Sequence, residues 1–119
     1  MLKRLLVLAT PLLLAACVTD REANTLSESA AEGRAFAQQN CAGCHAIDDG
    51  VSPNPDAPSL RHAAHRLPDW MVEGSFERGI QVGHTAEMPV FTFEEDDIAN
   101  LIAYFDALRA KELSPDSPR

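Results

Sequence analysis

The chain has 119 residues, 45% of them hydrophobic, and its 18 acidic against 10 basic side chains give a net charge of −8. That length admits one ordinary domain, and the acidic balance argues against a nucleic-acid partner, because phosphate binding rests on a basic surface.

Met1-Leu2-Lys3-Arg4 is a short basic region, and Leu5 to Ala16 is an apolar stretch of twelve residues interrupted by Pro11. Such a stretch falls short of the ~20 apolar residues that span a bilayer but suits a secretory leader. The mature chain is therefore expected outside the cytoplasm. The leader ends in Leu14-Ala15-Ala16-Cys17, which resembles the bacterial lipobox, where cleavage precedes a cysteine that receives lipid. An acylated Cys17 would tether the protein to a membrane; the plainer alternative is a leader cut near Ala15 or Ala16 that leaves Cys17 an incidental thiol. Loss of Lys3 and Arg4 leaves eight basic residues against 18 acidic ones, a mature net charge of −10.

The expected organisation is a signal peptide over 1–16, a polar tether over 17–27, a folded domain over 28–111 and a mobile tail over 112–119 with Pro115 and Pro118. A domain of this size buries only about 60% of its unfolded surface and needs a staple. Two capping boxes compete for the start of the first helix, Thr25-Leu26-Ser27-Glu28 and Ser29-Ala30-Ala31-Glu32.

That helix runs into Cys41-Ala42-Gly43-Cys44-His45, a C-x-x-C-H run. Two thiols at this spacing can each add to a haem vinyl group, with the adjacent imidazole placed to ligate the iron. A thioredoxin-like pair wants a βαβ setting and a zinc site wants a second pair of soft ligands; the sequence shows neither, since the third cysteine is Cys17 in the leader region. The pentapeptide therefore reads as a covalent haem site.

Ala46 to Pro58 carries Asp48-Asp49-Gly50 and three prolines, which is loop chemistry. Leu60 to Arg66 suggests a short helical turn, and Pro68 suits the first position of a helix running towards Gly79, with Val72, Phe76 and Ile80 as its buried stripe. Thr92-Phe93-Glu94-Glu95 is a third capping box, and Phe93, Ile98, Leu101, Ile102, Phe105 and Leu108 follow helical spacing in an amphipathic last helix. No strand is expected.

The order helix, C-x-x-C-H, proline-rich loop, helix, Met-Pro and amphipathic last helix resembles the class I c-type cytochromes over residues 30–109. The resemblance implies an all-α small cytochrome c fold, three to four helices packed around one covalently bound haem c. It implies that Gly33 is the small residue at which the first and last helices cross, with Leu101 and Tyr104 on the partner face. Phe36 departs from the pattern, since the usual aromatic would stand where Ala37 does.

The resemblance further implies that the Pro58 carbonyl meets the ring N–H of His45, although Ala57 replaces the usual glycine before it, and that Met88, in Met88-Pro89, is the sixth ligand to iron opposite His45. His84, four residues earlier, and His62 and His65 remain competing ligands; Trp70, Arg61 and Arg66 are candidates to meet the haem propionates. A His/Met iron has no vacant site, so the implied function is a single-electron carrier cycling Fe(III)/Fe(II), not an enzyme, with redox-protein donor and acceptor on the periplasmic side of a bacterial membrane. The alternatives are a haem-based sensor or peroxidase-like enzyme with a labile Met88, and an electron-entry subunit of a larger oxidoreductase.

Overall fold

The computed structural model describes residues 25–80 and 88–113. The leader, Cys17, His84 and the end of the tail lie outside them. Four helices follow in order: α1 (Glu28–Asn40), α2 (Leu60–Arg66), α3 (Asp69–Glu77) and α4 (Glu95–Arg109). No strand occurs among the described residues, and none of their helices is long and apolar enough to cross a membrane.

Two of the helix starts differ from the boxes read in the sequence. Ser27 caps α1, its hydroxyl accepting from Ala30 N–H at 3.1 Å. Ser27, between the two predicted caps Thr25 and Ser29, starts the helix and leaves Glu28 in the first turn, where the helix dipole favours a carboxylate. α4 starts two residues later than Thr92 predicts: Glu94 is its cap, and Asp97 Oδ2 accepts from Glu94 N–H at 3.1 Å. With four acidic residues in a row several boxes are chemically equivalent, and Phe93 decides between them. Its ring packs 5.5 Å from Phe36 and 5.3 Å from Phe76, which holds residue 93 outside the helix.

α1 crosses α4 at Gly33. A Cβ there would collide with the carbonyl oxygen of Asn100 and stand 2.9 Å from Leu101 N. The backbones thus meet with no side chain between them. Hydrogen bonds flank the crossing, from Ser29 Oγ to Asn100 Oδ1 at 2.6 Å and from Asn100 Nδ2 to Glu32 Oε2 at 2.8 Å. Ala30, Ala37, Leu101 and Tyr104 are all buried around it. Ala37 is fully buried in the core, and Phe36, one position earlier, packs on Phe93 instead.

α2 is a full seven-residue helix capped by Ser59, whose hydroxyl accepts from His62 N–H at 3.2 Å. Pro68 is the cap of α3, not its first residue. Val72 and Phe76 are buried on α3 as the stripe requires, but Ile80 lies beyond the helix end. Gly79 (φ 75) and Ile80 (φ 57) are both left-handed there. Ile80 N–H reaches Ser75 O at 2.7 Å and Gly79 N–H reaches Phe76 O at 2.9 Å, the paired bonds of a Schellman stop. A β-branched residue is costly in this region; Ile80 is held in it by burial in the core.

Arg109 locks the far end. From the last turn of α4 it donates to Ala64 O at 2.7 Å and Leu67 O at 3.1 Å, and it pairs with Asp106 and Asp69. One guanidinium thereby closes the carbonyl end of α2 and ties it to the start of α3.

Candidate functional site

α1 delivers the C-x-x-C-H run at its carboxyl end. Cys41 is the C-cap, its N–H bonded to Ala37 O at 2.7 Å, and the chain turns so that His45 N–H returns to Cys41 O at 2.9 Å. Cys41 is half-buried, which raises its thiol pKa, and Cys44 is exposed; neither is in a disulfide.

The loop that follows folds back over this turn. Ser52 Oγ accepts from Ala46 N–H at 3.0 Å, Asn54 N–H reaches Cys44 O at 3.1 Å and Leu60 N–H reaches Ala46 O at 2.9 Å. The fold-back carries the Pro58 carbonyl to 2.7 Å from His45 Nδ1. A carbonyl only accepts, so Nδ1 carries the proton and Nε2 keeps its lone pair free for a metal.

A second set of contacts fixes the same loop from behind. The Tyr104 hydroxyl, buried on α4, shares its one proton between Asp48 Oδ1 at 2.5 Å and Ile47 O at 2.7 Å, and Arg34 of α1 pairs with Asp48 at 2.7 Å. Arg34 holds the Asp48 carboxyl below the usual carboxylate range, while burial and then Asp48 push the Tyr104 hydroxyl well above the ordinary phenol value. No pattern in the sequence announces this triad, because its members come from α1, the loop and α4.

Cys41, Cys44, His45, Pro58 and Met88 all line one cavity of about 500 Å³. Its walls are mostly apolar, with Leu60, Val72, Phe76, Ile80, Phe91, Phe93, Leu101 and Phe105 contributing side chains. The volume lies within the ~300–1,000 Å³ common for cofactor sites. Arg66 also reaches the lining, but two other residues considered for the propionates do not. Arg61 is buried elsewhere, its Nε 2.9 Å from Asp49 Oδ1, and Trp70 is 70% exposed away from the cavity wall. Nor do His62 or His65 reach it; His65 Nε2 instead meets Lys111 O at 2.9 Å.

The donor set fits a covalently held haem. Two unpaired cysteines, an imidazole oriented by a backbone carbonyl and a thioether share an aromatic-lined cavity; Ser75 is among its lining residues, and its Oγ is buried without a hydrogen-bond partner. The sequence model of the cytochrome c family matches residues 30–109. The chain belongs to the cytochrome c family. It is a class I c-type cytochrome, its cofactor is covalently attached haem c, and it is a haem-binding electron-transfer protein. No match to a curated protein or to a solved structure accompanies the family assignment.

Proposed function

We propose that this cytochrome c is a single-electron carrier of an extracytoplasmic electron-transfer chain and catalyses no bond chemistry alone. The observation that carries the reading is the meeting of Cys41, Cys44, His45 and Met88 on one cavity wall. Cys41 and Cys44 would hold the haem through thioethers, and His45, its ring fixed by Pro58, and Met88 would ligate its iron. When bound, the haem supplies one reversible Fe(III)/Fe(II) couple. The protein side chains keep the two coordination positions filled and exclude water with aromatic rings, so that little rearrangement accompanies a change of charge.

The partners are redox proteins that donate and accept the electron. The chain meets them from the periplasmic face of a bacterial membrane, held there by lipid on Cys17. The support for this is in the sequence, in the basic start, the twelve-residue apolar stretch and Leu14-Ala15-Ala16-Cys17. Acid-acetone extraction of the purified protein tests the haem assignment: the colour stays with the protein, and complete extraction overturns it. Cys17→Ser tests the anchor, releasing the mature domain from membranes with its spectrum unchanged; a membrane fraction unaltered in that variant rules the anchor out.

A further inference from the structure

A second cavity, of about 380 Å³, lies between α1, α2 and the end of α4 and shares no lining residue with the first. Arg34 of α1, Arg61 of α2 and Lys111 just beyond α4 all line it. The described residues hold six basic side chains, so half of them converge on one opening in a chain of net charge −8. Asp48 and Asp49 stand on the same lining, and both are engaged. Asp48 takes Nε and Nη2 of Arg34 together with the Tyr104 proton, and Asp49 meets Arg61 Nε at 2.9 Å. Three cations against two carboxylates leave one positive charge in excess, and Lys111 has no ion pair among the described residues.

Arg61 is the member that calls for a ligand. It is 7% exposed, and a guanidinium at that depth is costly unless its charge and its N–H groups are matched. Its one ionic partner among the described residues, Asp49, is itself half-exposed, and the contact leaves Nε without a directed hydrogen bond. Nε is sealed in the wall, so the part of the side chain that lines the cavity lies elsewhere on it, and no hydrogen bond joins either terminal nitrogen to a described residue. The planar fork of an arginine presents such N–H groups in the geometry that an oxyanion matches.

We propose that this cavity binds a small phosphate-class oxyanion, inorganic phosphate or a phosphate monoester, held by Arg61, by Lys111 and by the Arg34 Nη1 that Asp48 does not use. Cations supplied by three separate elements suit a tetrahedral group with oxygens on every side better than a flat carboxylate. Tyr104 walls the site without donating to it, because its one proton is committed to Asp48 and Ile47. Leu26, Ala107 and Leu108 supply hydrocarbon against which the carbon of a monoester can lie. Only the folded chain brings the three cations together, so binding stabilises the native state. The site stands apart from the electron-transfer reading and does not depend on it.

The test uses the haem-loaded protein at one fixed pH. Inorganic phosphate replaces chloride at constant ionic strength, and binding is followed by titration calorimetry and by thermal unfolding. The expected result is a saturable heat with a rise in Tm that levels off, both weakened several-fold in Lys111→Gln and lost in Arg61→Gln. Arg78→Gln, which removes an exposed cation that lines neither cavity, should bind as wild type does. Lys111 is exposed, so its variant keeps the test decisive even if Arg61→Gln does not fold. A Tm gain that never saturates, or one of equal size in Lys111→Gln and wild type, is the general effect of an excluded salt and overturns the proposal. So does a phosphate-induced change in the haem spectrum that persists in Lys111→Gln, which would move the anion to Arg66 at the first cavity. Binding to vesicles of anionic lipid with none to inorganic phosphate also overturns it, since the face would then meet a membrane surface and not a free oxyanion.

Discussion

The hydroxyl of Tyr104 lies 2.5 Å from Asp48 Oδ1, joining the middle of α4 to the loop that leaves the C-x-x-C-H turn. Asp48 stands three residues after His45, so the contact ties the start of the loop to α4, while Pro58, further along the same loop, meets the His45 ring. Arg34 completes the link from α1. A small domain with few buried side chains gains from such a tie, because the loop it fixes carries little apolar surface of its own.

Tyr104→Phe keeps the ring and removes the tie. The Ile47 carbonyl is left without its donor and the Asp48 carboxylate keeps only Arg34, a loss of about 1–3 kcal/mol. The pH profile separates the two partners. Asp48 has a depressed pKa in the folded state, so its contribution is present above the unfolded value near ~3.9 and disappears as pH falls through the folded value. Tyr104 has a raised pKa, so its contribution is whole below the unfolded value near ~10 and disappears as pH rises beyond it, while the unfolded chain ionises and the folded one does not. Thermal unfolding against pH should therefore show a flatter alkaline limb in Tyr104→Phe than in wild type. Tyr104 is the one tyrosine of the chain, so tyrosinate absorbance reports its titration directly; ionisation at an ordinary phenol pH would contradict the buried triad.

Two helix glycines should respond in opposite directions to alanine. At Gly33 the new methyl meets the backbone of Asn100 and Leu101, which cannot move without parting α1 from α4. Overpacking of this kind costs about 1–3 kcal/mol, and in a domain of this size each kcal/mol lowers Tm by roughly 4–8 °C. At Gly74 the nearest atom is Arg78 Nη1 at 3.1 Å, the end of a flexible, exposed side chain. The helix propensity of alanine, worth up to ~1 kcal/mol over glycine, should prevail there. Calorimetry on both holoproteins checks the pair, and equal melting temperatures for Gly33→Ala and wild type would place the crossing elsewhere.

Arg109→Ala should destabilise by about 1–3 kcal/mol, because it strips the donors from the Ala64 and Leu67 carbonyls at the end of α2. Arg109→Lys should recover only part of the loss. An ammonium keeps the charge beside Asp69 and Asp106 but lacks the planar fork that serves two carbonyls and two carboxylates at once. Full recovery by lysine in urea unfolding would show that charge alone matters at this position.

What the sequence made legible was local or periodic. Helical spacing on α4, the breakers around Pro58 and the C-x-x-C-H run are written within short windows, and so is the glycine that lets α1 approach α4. Caps were less legible, since Thr25, Ser27 and Ser29 compete within one turn and the winner depends on how the helix docks. Ile80 falls at the third position of the α3 stripe, and its side chain is buried, but its left-handed backbone belongs to the Schellman stop beyond the helix end. At the cavity, the residues close to the C-x-x-C-H run and to Met-Pro were named from their motifs. Arg61 and Trp70 were not placed by anything so local, and Arg61 is taken instead by Asp49. The Arg34–Asp48–Tyr104 triad, the Arg109 clamp and the orphaned Ser75 hydroxyl depend on separations of up to 57 residues or on the absence of a partner, and neither leaves a mark on a sequence window.

The distal ligand is the assignment on which a high-potential carrier depends. Met88 lines the cavity that His45 also lines, 43 residues along the chain, while His62 and His65 do not reach it and His84 lies outside the described residues. A soft thioether favours the ferrous state more than a second imidazole does. Met88→His should therefore keep a six-coordinate iron and lower the midpoint potential. Met88→Ala should open the iron to carbon monoxide or cyanide, seen as a shift of the Soret band on addition of either. His84→Ala should leave both spectrum and potential as in wild type. The reverse pattern, in which His84→Ala opens the iron and Met88→Ala changes nothing, would transfer the ligand to His84 and remove the ground for a high-potential single-electron carrier.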